Sequence, residues 1–104
     1  MANVRAHVFV SGRVQRVFYR VNAIKEASRL KLKGWVRNVY SEKLKVKSEK
    51  LQEFTGVEAV FEGEREKVEE MIEWCKKGSS SAKVGDVEVE WGEPEGLESF
   101  EIRK

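Results

Sequence analysis

Hydrophobic and polar residues alternate along several short stretches of the chain, and this period of two predicts β-strands with one buried face. In two longer stretches the hydrophobic residues recur every three or four positions, which predicts amphipathic helices. A glycine follows each of these two stretches, Gly34 and Gly78, and is typical of a helix C-terminus. In chain order the pattern predicts strand 4–10, helix 18–32, strand 35–40, strand 57–62, helix 64–77, strand 84–91 and a last short strand that includes Phe100 and Ile102.

This order of strands and helices is that of the ferredoxin-like split βαβ fold, an α+β architecture. We expect its sheet to be antiparallel, with two helices packed on one face and with right-handed crossovers. The chain has 104 residues, of which 40% are hydrophobic. That is enough for one modest core, and we expect a single domain over residues 1–104.

Composition excludes several classes of protein. No apolar run reaches the length of about 18 residues that a membrane span needs, and the N-terminus lacks the basic head and apolar stretch of a signal peptide. Cys75 is the single cysteine, so no internal disulfide can form. With His7 as the one histidine, the chain does not suit a His/Cys zinc site. We therefore expect a cytoplasmic protein that does not bind a membrane.

Residues 41–56 do not fit the predicted plan, because this segment is too long for the two- to five-residue loop of a hairpin. The tetrapeptide Ser-Glu-Lys-Leu occurs in it twice, seven residues apart, and that spacing favours a helix. Alternatively, residues 43–47 form a strand and a short helix begins at Ser48. The sequence leaves both open. We expect some helix within 48–55, and an insertion between the second and third strands.

The charges are distributed unevenly along the chain. Residues 1–50 contain 13 Lys and Arg against 3 acidic residues, whereas residues 51–104 contain 7 against 15. Either the two halves pair with each other in the fold, or the basic half binds an anionic partner, from a phosphate ester to a nucleic acid. A nucleic acid is the weaker expectation, because glutamates interrupt the lysine run at 43–50 and few aromatic residues lie in it. The acidic residues are 17 Glu and one Asp, a bias that resembles proteins of heat-loving organisms.

The connection between the first strand and the first helix is the strongest candidate for a functional site. Gly12 ends the predicted strand, and a short polar loop, 12–17, leads into the helix. Unpaired backbone N–H groups and the positive end of the helix dipole form an anion site there. Arg20 lies at the start of the helix, and its planar set of donors suits a phosphate group. By contrast, we expect His7 to be an ordinary strand residue and Cys75 a buried thiol of the core.

Asn38 ends the second strand near the same place. The first two strands of a split βαβ fold are parallel, so their carboxyl ends lie at one edge of the sheet and Asn38 faces the loop 12–17. An arginine, a ring of N–H groups and a carboxamide that converge there make a site for phosphoryl transfer without a metal. The carboxamide can both donate and accept hydrogen bonds, so it can orient a water molecule for in-line attack.

Three stretches of the chain resemble the motifs of the acylphosphatase family. Residues 12–20 resemble G-x-V-Q-G-V-x-F-R, residues 34–38 resemble G-W-V-x-N, and residues 57–63 resemble the strand V-E-x-x-x-x-G. The resemblance implies a ferredoxin-like hydrolase that cleaves small acyl phosphates to carboxylate and phosphate, with inorganic phosphate as a second ligand and without a metal or cofactor. It also implies that Arg20 binds the phosphoryl group and that Asn38 orients the attacking water. The phosphate oxygens would be cradled by the backbone N–H groups of Arg13, Val14, Gln15, Arg16 and Val17.

Two features depart from that family pattern. Arg16 stands where the motif has glycine, so its side chain either strains the phosphate loop or adds a cation that strengthens phosphate binding. The segment between Asn38 and Val57 has 18 residues where the family has a short turn, and we expect it to pack at the sheet edge beside Asn38. The sequence thus predicts a hydrolase of acyl phosphates, and we expect these two features to be able to lower its activity. The alternative is a non-catalytic or redesigned scaffold of the same fold, whose insertion serves binding or structural remodelling.

Overall fold

The computed structural model describes residues 3–13, 19–40, 55–78 and 83–103. No helix in these ranges is long and apolar enough to cross a membrane. The elements follow the predicted order of strands and helices. They are β1 (Asn3–Arg13), α1 (Tyr19–Arg29), β2 (Lys33–Tyr40), β3 (Thr55–Glu64), α2 (Arg65–Lys77), β4 (Lys83–Gly92) and β5 (Phe100–Arg103).

The strands form one sheet in the order β4-β1-β3-β2-β5. β3 pairs antiparallel with both β1 and β2, so β1 and β2 run parallel to each other, as predicted. The antiparallel pairing predicted for the four strands of the split βαβ plan is confirmed, and the appended β5 adds a parallel pair with β2, so the whole sheet is mixed. β4 ends beside the start of β1, at the edge of the sheet where β2 begins. The connection that follows β4 therefore places the start of β5 beside the start of β2, and the two strands run in the same direction.

One face of the sheet and the two helices enclose the core. Every second residue of β1 is buried on this face, and α2 buries residues at the predicted helical spacing. α1 contributes mainly alanine to the same core. The thiol of Cys75 lies within it, and burial raises the pKa of that thiol to about 12, so it stays protonated. The buried residues include Ala6, Val8 and Val10 of β1, Ala23 and Ala27 of α1, and Val68, Met71, Ile72 and Cys75 of α2.

Gly34 has a different role from the one predicted. It does not end a helix but lies within β2, where a Cβ atom would stand 1.8 Å from the carbonyl oxygen of Val60. Glycine is required there because two strands approach too closely for a side chain. The prediction for Gly78 is confirmed, since it caps α2 with a φ of 75° and its N–H donates to the carbonyl of Trp74.

α1 ends earlier than predicted, at Arg29, and is closed without a glycine. Lys31 adopts a φ of 60°, and its N–H donates to the carbonyl of Ser28 at 3.0 Å. The N–H of Leu32 donates to the carbonyl of Ala27 at 2.9 Å. These two bonds form a Schellman motif, which satisfies carbonyl groups that the last helical turn leaves unpaired.

The segment predicted as an insertion, 41–56, ends before Thr55, two residues earlier than expected. Thr55 and Gly56 belong to β3, where they pair with Tyr40 and Val39 of β2. Residues 41–54 lie outside the described residues, and so do the helix and strand alternatives proposed for them. β2 and β3 stay paired up to the residues that flank this segment.

The two oppositely charged halves of the sequence pair with each other in the fold. Arginine and histidine side chains of the first half meet carboxylates of the second half across strands and between helices. Such contacts account for part of the charge asymmetry without any external anionic partner. They are Arg5–Glu62 at 2.7 Å, Arg37–Glu58 at 2.7 Å, His7–Glu58 at 2.6 Å and Arg29–Glu70 at 3.0 Å.

Glu62 is a buried carboxylate, 4% exposed, that holds the connection between β4 and β5. It accepts hydrogen bonds from the guanidinium of Arg5 at 2.7 Å and from the backbone N–H groups of Glu95, Gly96 and Leu97 at 2.8 to 3.1 Å. Burial by itself would raise the pKa of Glu62. The four hydrogen bonds outweigh burial and hold the pKa below its ordinary value of 4.5. The folded state therefore favours the charged carboxylate.

The substitution Glu62→Gln should lower the free energy of unfolding by about 2–3 kcal/mol at pH 7, since hydrogen bonds to a buried charge are lost. Because the folded-state pKa of Glu62 is lowered, its contribution is present above the unfolded pKa and is lost as the pH falls below about 4.5. Urea unfolding of parent and variant from pH 7 to pH 3 measures this, and the gap between them should shrink in acid.

The matched control for this test is Glu101→Gln, which removes a half-exposed carboxylate that pairs with Arg103. It should change stability by no more than about 0.5 kcal/mol. A loss from Glu62→Gln that is equal at pH 7 and pH 3 would show that the charge of Glu62 is not what stabilises the fold.

Candidate active site

The predicted site lies where β1 and β2 end and α1 begins. Val10 of β1 and Asn38 of β2 both pair with Val57 of β3, so Asn38 lies level with the last part of β1. Residues 14–18, outside the described ranges, connect β1 to α1. The sheet topology thus brings the carboxyl ends of two parallel strands and one helix N-terminus to the same edge, as predicted.

Arg20 is the second residue of α1, and its side chain is half-buried. The first turn of α1 contains no acidic residue, and within the described part of the chain no carboxylate pairs with Arg20. The charge of the guanidinium therefore adds to the positive end of the helix dipole instead of being neutralised. This edge of the sheet is suited to an anion.

Asn38 faces the helix-covered side of the sheet, two residues after the buried Val36. Its side-chain oxygen Oδ1 is buried and has no hydrogen-bond partner in the part of the chain that the structure describes. An unpaired buried carbonyl costs about 1–3 kcal/mol, and such atoms mark positions where a ligand or water is bound. Oδ1 can accept a hydrogen bond from a water molecule at this edge.

Gly12 shapes the exit of β1 toward this site. The strand does not end there as predicted but continues to Arg13. The register with β4 shifts between Ser11, which pairs with Asp86, and Gly12, which pairs with Val84, so that one residue of β4 is skipped. Gly12 has a φ of 122°, a conformation that only glycine adopts without strain. This bulge sets the direction in which the chain enters residues 14–18.

Tyr19, the first residue of α1, is a site feature that the sequence did not reveal. Its ring is buried, 2% exposed, and packs on Trp74 with ring centroids 5.1 Å apart. Its hydroxyl donates a hydrogen bond of 2.8 Å to the backbone carbonyl of Cys75 in α2. The sequence signal was the tyrosine at the phenylalanine position of the motif, but the partner lies 56 residues away and only the fold identifies it.

The structure places two of the predicted site residues at one edge of the sheet, describes the backbone of a third, and does not describe the remaining four. Arg20 and Asn38 lie at the same edge of the sheet. The backbone of Arg13 is the last residue of β1. The remaining predicted loop residues, Val14, Gln15, Arg16 and Val17, lie outside the described residues.

A second polar cluster occupies the opposite, helix-free face of the sheet. His7 and Arg37 both contact the carboxylate of Glu58, at 2.6 and 2.7 Å. Burial alone would raise the pKa of Glu58, but hydrogen bonds from His7 and Arg37 outweigh it and lower this pKa. Trp35 lies beside them, with the guanidinium of Arg103 4.8 Å from the centre of its ring. His7 is thus a strand residue in a cross-strand pair, on the face away from Arg20's helix.

Comparisons with known proteins agree with the motifs. A sequence profile described as acylphosphatase matches residues 6–102. An acylphosphatase of Haloarcula marismortui is 48% identical over 103 residues, which are 99% of this chain and 99% of the relative. One of Trichormus variabilis is 48% identical over 97% of this chain and 87% of the relative. A solved acylphosphatase from Coxiella burnetii superposes with a TM-score of 0.80 at 33% identity, and covers 98% of this chain and 94% of its own.

The substitution Gly12→Ala should weaken the affinity for inorganic phosphate at least tenfold. Its positive φ strains a residue with a side chain by about 1–3 kcal/mol, and the chain relieves this strain by redirecting the start of residues 14–18. Gly85→Ala is the matched control, because the added Cβ would lie 3.5 Å from the carbonyl oxygen of Ser11, an ordinary contact. Isothermal titration of both variants with phosphate decides the matter, and equal affinities would contradict the role given to Gly12.

Proposed function

Since the chain belongs to the acylphosphatase family and is a hydrolase that acts on acyl phosphates, we propose that its catalytic groups are Arg20, Asn38 and the backbone N–H groups of residues 13–17. The observation that carries this proposal is the unpaired Oδ1 of Asn38 at the same sheet edge as an arginine that has no carboxylate partner among the described residues. The alternative of a non-catalytic scaffold is not favoured, because named acylphosphatases match nearly the whole chain.

Arg20 holds the phosphoryl group of the substrate. The guanidinium fork can donate two parallel hydrogen bonds to phosphate oxygens. The N-terminus of α1 adds backbone N–H groups and a positive dipole end at the same place. Together these groups stabilise the negative charge that spreads over the equatorial oxygens in the transition state.

Asn38 positions the attacking water. Its Oδ1 accepts a hydrogen bond from the water, which fixes the direction of the oxygen lone pair toward phosphorus. The water oxygen forms a bond to phosphorus while the bond between phosphorus and the carboxyl oxygen breaks, and both protons of the water stay on the phosphate product, one of them on a phosphoryl oxygen. The products are a carboxylate and inorganic phosphate. The amide of Asn38 does not titrate, so its role is to orient the water and not to remove its proton.

The leaving group explains why these few residues suffice. A carboxylate is stable as an anion near neutral pH, since carboxylic acids have pKa values of roughly 4, so the chain need not supply a general acid to protonate it. The chemistry is then mostly a matter of position and electrostatic stabilisation. A site built from one guanidinium, one carboxamide and backbone N–H groups can provide both.

The substrate is a small acyl phosphate, and inorganic phosphate is expected to bind as product; neither a nucleic acid nor a membrane is required. We propose a single domain over residues 1–104, which the family match over 6–102 supports. A cytoplasmic location also stays a prediction, based on composition and the single cysteine.

The substitution Arg20→Ala should lower kcat/KM by more than about 100-fold and leave the fold intact. Two charge-assisted hydrogen bonds of at least about 1.5 kcal/mol each would be lost from the transition state. The measurement is hydrolysis of acetyl phosphate, with circular dichroism as the check on folding. Arg29→Ala, at the other end of α1, is the matched control and should keep activity within twofold. Activity within twofold for Arg20→Ala would refute the assignment.

The substitution Asn38→Ala should lower kcat about 100-fold or more while the inhibition constant of inorganic phosphate changes little. Water orientation matters in the transition state and hardly at all in the phosphate complex. The free energy of unfolding should stay the same or rise, because the substitution removes a buried oxygen that has no hydrogen-bond partner among the described residues. Asn38→Asp, which adds a negative charge, should weaken phosphate inhibition as well. A large loss of phosphate affinity in Asn38→Ala with normal kcat would contradict the proposed role.

A further inference from the structure

Tyr19 is the one bulky side chain of α1 that is fully buried, whereas Ile24 packs against the core but stays partly exposed. The other buried residues of this helix are Ala23 and Ala27. Alanine methyl groups form low ridges that interlock weakly with neighbouring elements, so they resist a shift of the helix along or around its axis less than large side chains do. The position of the first turn of α1 therefore depends strongly on how Tyr19 is held.

Two contacts hold Tyr19 against the end of α2. Its ring packs on Trp74, and its hydroxyl donates to the carbonyl of Cys75. That carbonyl lies in the last turn of α2, where carbonyl groups lose their helical N–H partners. Burial raises the pKa of the Tyr19 phenol, so the hydroxyl remains a donor at any working pH. A directional bond thus joins the start of one helix to the end of the other.

Arg20 is the next residue after this anchor. We infer that Tyr19 is a positioning residue: its hydroxyl, bonded to the α2 backbone, fixes the first turn of α1 and thereby the orientation of the Arg20 guanidinium toward the phosphoryl group. This inference rests on the proposed role of Arg20. The guanidinium of Arg20 must donate to two phosphate oxygens at the same time. A small displacement of it therefore lowers both the affinity for phosphate and the rate of hydrolysis.

The substitution Tyr19→Phe tests this inference, because it keeps the ring and removes only the hydroxyl. At a temperature where the variant is fully folded, we expect kcat/KM for acetyl phosphate to fall three- to tenfold and the dissociation constant of inorganic phosphate to rise by a similar factor. A purely structural bond would lower the melting temperature and leave both constants unchanged. That second result would overturn the inference.

The matched control is Glu70→Gln. Glu70 makes another polar link between the two helices, a 3.0 Å ion pair with Arg29, which lies at the opposite end of α1 from Arg20. Its loss should leave kcat/KM and phosphate affinity within twofold of the parent. Equal losses in Glu70→Gln and Tyr19→Phe would show a general effect of helix packing and would overturn the specific role of the hydroxyl.

A double-mutant cycle shows whether Tyr19 acts through Arg20. The Arg20→Lys variant has no guanidinium group to orient. Adding Tyr19→Phe to it should therefore change the affinity for phosphate by less than twofold. An additive loss in that background would overturn the inference.

If Tyr19→Phe fails to fold, the substitution Trp74→Leu takes its place, because it weakens the packing of the Tyr19 ring and keeps the Tyr19 hydroxyl. A smaller weakening of phosphate binding is then expected, and no change would count against the inference.

These measurements separate this inference from the proposed function. Absence of acetyl phosphate turnover in the parent chain would count against the proposed catalytic roles. The dissociation constant of phosphate, measured by titration, would still decide whether the Tyr19 hydroxyl orients Arg20.

Discussion

The antiparallel pairing of β3 with both β1 and β2 is the constraint on which the site depends. Because β3 lies between them, β1 and β2 are parallel and their carboxyl ends meet at one edge of the sheet. The hydrogen-bond registers of β3 with β1 and with β2 fix the position of Asn38 relative to the last residues of β1. The helix that follows β1 then starts at the same edge, with its positive dipole end directed there. A shift of register by one residue would turn Asn38 to the opposite face.

The two ends of the sheet differ in how completely their buried polar groups are hydrogen-bonded. At the end away from the site, Glu62 is satisfied by a guanidinium and three backbone N–H groups, which fixes the connection to β5. At the site end, Oδ1 of Asn38 is left without a partner among the described residues. The fold thus satisfies the carboxylate of Glu62 completely, whereas the amide oxygen of Asn38 keeps unused bonding capacity among the described residues, as the proposed water-orienting role requires.

The helices differ in how they are held. α2 buries four side chains at helical spacing, including Val68 and Met71, whereas α1 buries two alanines and Tyr19. The energy of apolar burial therefore fixes α2 more firmly than α1. A directional hydrogen bond from Tyr19 to the last turn of α2 compensates at the end of α1 where Arg20 stands. The more weakly packed helix is thus tied at the end that carries Arg20.

Much of the fold followed from sequence, because hydrophobic period and chain order depend on neighbouring residues alone. They determined the order of seven elements and the core face of α2, and parallel β1 and β2 then placed Arg20 and Asn38 together. Only the tertiary structure decided features that depend on distant residues. The sequence pattern predicted that Gly34 ends a helix. In the structure it lies where β2 and β3 are so close that a side chain would collide with the carbonyl oxygen of Val60. Likewise, the partner of the Tyr19 hydroxyl is a backbone carbonyl, which every residue carries, so no side-chain pattern could identify it before the two helix ends were brought together.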